Sequence, residues 1–182
     1  METTRQENHK ENPEDVFPGN LTDKDIELIR LQCNLQGAES PEEISGFAAA
    51  YSEAKRLSGD TTALESLTPT MVRELVLHLG RLVDKKNEKG FRTIPVGFKD
   101  LSTAISPELV EKAIQNFSEA YAEGRLTPAE AYIEFEKIHP FVDGNGRVGD
   151  LLWKMARLRE TGDWPEDLPP DVFGDTGEGI KE

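Results

Sequence analysis

The stretch HPFVDGNGR places one histidine, one carboxylate, two glycines around an asparagine and one arginine in close succession. Those residue types can together move a phosphate-containing group. The imidazole of His139 titrates near neutrality and can take a proton from an attacking hydroxyl. Asp143 offers a hard oxygen of the kind that holds Mg²⁺ beside bound phosphates. Gly144, Asn145 and Gly146 let the backbone turn sharply and aim successive N–H groups at one anion, and Arg147 adds a planar fork of donors suited to phosphate oxygens. Phe141 alternates with the polar residues and is expected to point inward, pinning the loop. Singly, each has an ordinary explanation: a core histidine, a turn, a capping aspartate. Their combination in one short loop is what points to a site.

A loop of this kind needs rigid elements on both sides. Thr127-Pro128-Ala129-Glu130 carries a cap, a proline at the first helical position and a reciprocal glutamate, so a helix is expected from there to about Ile138. A second helix is expected from about Arg147 to Arg159, and its N-terminus would add free N–H groups and a positive dipole end to the loop. Earlier helices are announced by Thr22, by Ser40-Pro41-Glu42-Glu43, by Thr68-Pro69 and by Ser106-Pro107, each ahead of an apolar-periodic run. Cys33 falls in the apolar pattern of the first and is expected to be a small buried hydrophobe. A single cysteine cannot form an internal disulfide.

The one strand-like stretch is GFRTIPVGF at residues 90–98, where Pro95 cannot donate to a ladder. A short exposed hairpin or flap is expected. Its extended backbone at Thr93, Ile94, Pro95, Val96, Gly97 and Phe98 could add a strand to a bound peptide and fix a hydroxyl residue there.

With 182 residues, of which 36% are hydrophobic, the chain suits one domain with one core. The formal net charge of −14 opposes nucleic acid and anionic membrane surfaces, so neither is expected as a partner. There is no apolar run of membrane-spanning length and no apolar leader core at the N-terminus. A soluble, cytoplasmic protein is expected, which is compatible with delivery to a host cell. Residues 1–20 are expected to be a polar tail and residues 161–182 a C-terminal extension, docked only through apolar positions such as Trp164, Leu168 and Phe173. Neither acidic end offers a self-complementary apolar face, so a monomer is expected.

The loop HPFVDGNGR resembles the signature of the Fic family, H-x-F-x-[D/E]-G-N-G-R, and matches it wherever the pattern is specified. The likeness runs back through TPAEAYIEFEKI, SPELVEKAIQNFSEAYAEG and the flap-like GFRTIPVGF, covering about residues 68–160. It implies a mainly α, single-domain Fic fold over residues 21–160: a helical bundle with a short β-hairpin flap and the signature loop between two core helices. It also implies the roles. His139 would deprotonate the target hydroxyl, Asp143 would bind Mg²⁺, Gly144, Asn145 and Gly146 would form the anion hole around the α-phosphate, and Arg147 would hold the distal phosphates. The implied reaction moves AMP from ATP onto a Tyr, Thr or Ser hydroxyl of a target protein.

The chain departs from the pattern at one position. Many AMP-transferring members carry a second arginine three residues after the first, where this chain has Asp150. A negative charge there would face the triphosphate. The inhibitory pattern [S/T]-x-x-x-E-[G/N] has no convincing copy; the nearest, at residues 61–66, ends in serine. Gly146 in place of a lysine disfavours a kinase of the Doc kind, and Gly144 in place of an alanine disfavours a phosphocholine transferase. Transfer from another nucleotide or diphosphate donor stays open, as does a nucleotide-binding or protein-interaction module without turnover.

Overall fold

A computed structural model describes residues 17–98 and 102–171. Among them are seven α-helices: α1 (Asp23–Leu35), α2 (Pro41–Leu57), the short α3 (Thr61–Glu65), α4 (Pro69–Val83), α5 (Pro107–Ala122), α6 (Pro128–Ile138) and α7 (Asn145–Thr161). There is no sheet among the described residues, only an isolated antiparallel bridge between Gly97 and Thr103. The fold is mainly helical, as expected. No described helix is long and apolar enough to cross a membrane.

The caps anticipated from sequence set most of the starts. Thr22, Ser40 and Thr127 each accept from the backbone N–H three residues on, and Asp25, Glu43 and Glu130 reach back to complete capping boxes. Proline stands at the head of α2, α4, α5 and α6, where its missing N–H costs nothing. Ser106 heads α5 without a side-chain cap. The short α3 was not anticipated; Asp60 caps it and only Leu64 anchors it in the core.

The core is built around α4 and α7. Val72, Val76, Leu79 and Val83 of α4 and Val148, Leu151, Leu152 and Met155 of α7 are buried among Ile29, Phe47, Tyr51, Ile114, Phe117 and Phe135 of the other helices. Cys33 is in this core, with burial pushing its thiol up to about 11. That is the inert, hydrophobic role its spacing suggested.

A polar network runs through the same interior. Tyr51 donates to Asp25, Lys55 pairs with Asp25 at 2.6 Å, and the Trp164 indole donates to Tyr51. Lys154 donates to the carbonyl of Asp167 and lies over the rings of Tyr51 and Trp153. The segment after α7 is therefore tied to the bundle at least as far as Asp167. Trp164 docks as expected, whereas Phe173 lies outside the described residues. At the other end, residues 17–20 belong to the expected polar tail, yet Arg30 sits over the Phe17 ring and Asn20 exchanges hydrogen bonds with Ser52.

The expected hairpin amounts to much less than a ladder. Phe98 N–H donates to Ser102 and Ala104 N–H donates to Val96, which brackets the single bridge. Residues 99–101 lie outside the described set. Pro95, without a donor, limits pairing on this edge, and residues 93–95 are exposed.

Candidate active site

The loop between α6 and α7 is closed by its own asparagine. Asn145 Oδ1 accepts from the Phe141 N–H at 2.8 Å and its Nδ2 donates to the Phe141 carbonyl at 2.9 Å. A reciprocal pair of this kind satisfies both backbone groups of one residue and fixes the turn. The Asn145 side chain is thus spent inside the loop, and only its backbone N–H, in the first turn of α7, is left to face a ligand. Phe141 is fully buried, with its ring 5.6 Å from that of Phe91.

Gly144 caps α7 with φ +78°, and a Cβ there would lie 2.5 Å from Val83 Cγ1. Only glycine combines that dihedral with that approach at low cost. α7 begins at Asn145, two residues earlier than sequence suggested, so Asn145, Gly146 and Arg147 are its first turn. Their N–H groups have no intrahelical acceptor and lie at the positive end of the helix dipole.

Arg147 is 1% exposed, and its Nε and Nη1 have no partner among the described residues. Nη2 lies 3.4 Å from Asp143 Oδ1. A buried guanidinium with vacant donors is costly unless an anion completes it. In this state the nearest anion is the loop's own Asp143. Its Oδ1 takes the Gly144 N–H at 2.7 Å and its Oδ2 takes the Lys86 ammonium at 2.7 Å. Burial raises the Asp143 pKa, but Lys86, the Gly144 N–H and Arg147 outweigh it and hold the carboxyl below its usual range. It is ionised at neutral pH and 39% exposed, which fits a hard-cation ligand.

His139 closes α6 in the left-handed region, with φ 49° and ψ 60°. It is the one described non-glycine residue with positive φ. A non-glycine residue in this region persists only where its surroundings hold it. Its Nδ1 is buried, 3.9 Å from the Glu136 carboxylate, and its ring meets Phe98 edge-on at 4.8 Å. Burial, with Arg92 nearby, lowers the His139 pKa below 6.5, so the base form prevails at neutral pH. The Phe98 contact brings one flap residue to the histidine. Ile94, at 52% exposure, faces solvent.

Three residues that sequence reasoning passed over build this geometry. Arg92 is 3% exposed and donates to the carbonyls of His139, Ile94, Ile105 and Ile138, while its N–H donates to Pro140. It ties the flap to the C-terminus of α6. Asn87 donates to the carbonyls of Gly80 and Asp143, and Lys86 reaches the Asp143 carboxylate. Both belong to a 3₁₀ turn, Lys85–Asn87, which Asp84 caps. In sequence, KKNEK looks like a solvated connection, and nothing in it signals a loop contact more than fifty residues away.

Asp150 does not face the nest. It is fully buried, with Oδ1 2.9 Å from Lys154 Nζ one turn along α7. Burial raises its pKa and Lys154 opposes that rise. Its carboxylate is thus engaged by Lys154 rather than left to oppose a bound triphosphate, which corrects the expected repulsion.

Residues 66–155 match the model of the Fic/DOC family. The chain is a Fic domain protein, of the Fic-type transferase class whose members generally transfer phosphate-containing groups to proteins. No curated protein matches the chain.

Proposed function

We propose that this protein transfers AMP from ATP to a Tyr, Thr or Ser hydroxyl of a target protein. The observation that carries this reading is the Asp143 carboxylate seated against the Gly144 N–H and Arg147, where a phosphate would find the same donors. The first-turn N–H groups of α7 would bind the α-phosphate, and the vacant donors of Arg147 would take oxygens further along the chain.

The target hydroxyl would give its proton to His139. Because Nδ1 is buried, Nε2 is the nitrogen left to accept it. The hydroxyl oxygen then bonds to the α-phosphorus as the bond to pyrophosphate breaks on the opposite side. Asp143 would hold Mg²⁺, which supplies charge neutralisation to the phosphates. Phe98, packed on His139, would bring the flap and the target segment to the base. In-line geometry follows from holding base, electrophile and target on neighbouring rigid elements.

The test is intact-mass spectrometry of the protein and of a cell extract after incubation with Mg²⁺ and labelled ATP, GTP, UTP and CTP. An AMP adduct that disappears in His139→Ala supports the reading. An adduct from another nucleotide would reassign the donor. Absence of any adduct, alongside Mg²⁺-dependent nucleotide binding, would leave a binding module.

A further inference from the structure

A phosphate chain longer than one unit needs positive charge beyond the nest. Position 150 supplies none, because its carboxylate is buried against Lys154. The structure offers a different cation. Asp143 spans from the nest to Lys86: one carboxylate oxygen takes the Gly144 N–H and the other takes the Lys86 ammonium. Lys86 therefore lies across the Asp143 carboxylate from the Gly144 N–H, on the side away from the donor that Asp143 occupies.

We propose that Lys86 is a ligand for the donor's distal phosphates. This rests on the nucleotide-donor reading and names the residue that grips the far end of the donor. The backbone of Lys86 is fixed, since its N–H donates to Asp84 Oδ1 and neighbouring Asn87 is bonded to the Asp143 carbonyl. Its side chain is 55% exposed and opens onto a cavity of about 690 Å³ between the start of α2 and the end of α4. Arg81 and Lys85 also line that cavity, but Arg81 is bonded to the Glu88 carbonyl and Lys85 to Glu42.

The acidic groups beside Lys86 decide when it is free. Glu43, Asp84 and Asp143 bring carboxylate oxygens within 4.8 Å of one another, and the ammonium pairs with Asp143 at 2.7 Å and lies 4.0 Å from Asp84. When Asp143 engages a divalent cation, Lys86 loses its closest partner just as phosphate oxygens arrive. A divalent cation on Asp143 would compete with the ammonium for the same negative charge, so loading of the site favours release of Lys86.

Calorimetry in Mg²⁺ with tripolyphosphate, ATP and AMP tests this on the wild type, Lys86→Ala, Lys86→Arg and the neighbouring Lys85→Ala. Loss of one charge-assisted contact should weaken tripolyphosphate and ATP about tenfold in Lys86→Ala. AMP should stay within about twofold, Lys86→Arg should recover most of the loss, and Lys85→Ala should resemble wild type. Equal weakening of AMP and ATP, or unchanged ATP binding in Lys86→Ala, overturns the assignment. If tripolyphosphate binds and nucleotides do not, the donor reading fails while the Lys86 comparison still decides this one. A wild type that binds none of the three overturns both.

Discussion

The ring of Phe141 lies against the backbone of Gly80 so closely that a Cβ on Gly80 would stand 2.2 Å from Phe141 Cζ. α4 and the signature loop meet at this contact, and Asn87, bonded to both the Gly80 and Asp143 carbonyls, closes the same junction from the other side. The loop is thus held to α4 as well as to α6 and α7.

Gly80→Ala should therefore displace the Phe141 ring and the loop with it. Overpacking of this kind costs about 1–3 kcal/mol. Denaturant unfolding should register that loss, and adduct formation should fall further than stability alone accounts for. Wild-type transfer in a stably folded Gly80→Ala would show that the loop tolerates the shift.

The rate should depend on pH through His139. Burial holds its pKa below 6.5, so the unprotonated base predominates at neutral pH. Activity should be flat through pH 7 and decline only as pH falls through that lowered value. Stability runs the same way: the unfolded chain takes up a proton below 6.5 that the folded state resists, so acid weakens the fold at this residue. His139→Ala should remove this acid limb and reduce turnover by about 10²–10⁴-fold. An acid limb at or above 6.5 in the wild type contradicts the assignment.

Arg92 makes a separable prediction. Replacing it with methionine keeps much of the length and removes the donors to four carbonyls. Unsatisfied buried acceptors cost about 1–3 kcal/mol each where water cannot reach them. Stability should drop by at least that much, and Arg92→Lys, which lacks the planar fork, should recover little of it. Thermal melts of the two variants distinguish this from a loss of charge alone.

Asp150→Arg should not strengthen ATP binding. The position is buried beside Lys154, so a second cation there meets like charge in a dry interior. Asp150→Ala leaves Lys154 without its carboxylate and should cost about 3–5 kcal/mol. Unfolding curves would show both losses; a well-folded Asp150→Arg with tighter ATP binding would mean the side chain can swing to the nest.

Much of this protein was legible in its sequence because the relevant signals are local. Capping boxes, prolines at first helical positions and apolar periodicity depend on neighbours within a few residues, and they located α1, α2, α4, α5 and α6. The types and spacing in HPFVDGNGR likewise identified the loop and its family, since a nest between two helices is built from contiguous chain. The short α3 escaped because its stability comes from Leu64 in a shared core rather than from its own turns.

What only the tertiary structure decided is where each charge points. Asp150 lies one turn past Arg147, yet packing turns it into the core toward Lys154, so the sequence alone could not say which way the substitution acts. Lys86, Asn87 and Arg92 lie more than forty residues from the loop atoms they hold, and no local pattern marks them. The sequence by itself determined the chemistry available in the loop. The fold determined which distant side chains fix that loop and which cation stands beyond it, because contacts between separated segments depend on packing geometry rather than on spacing.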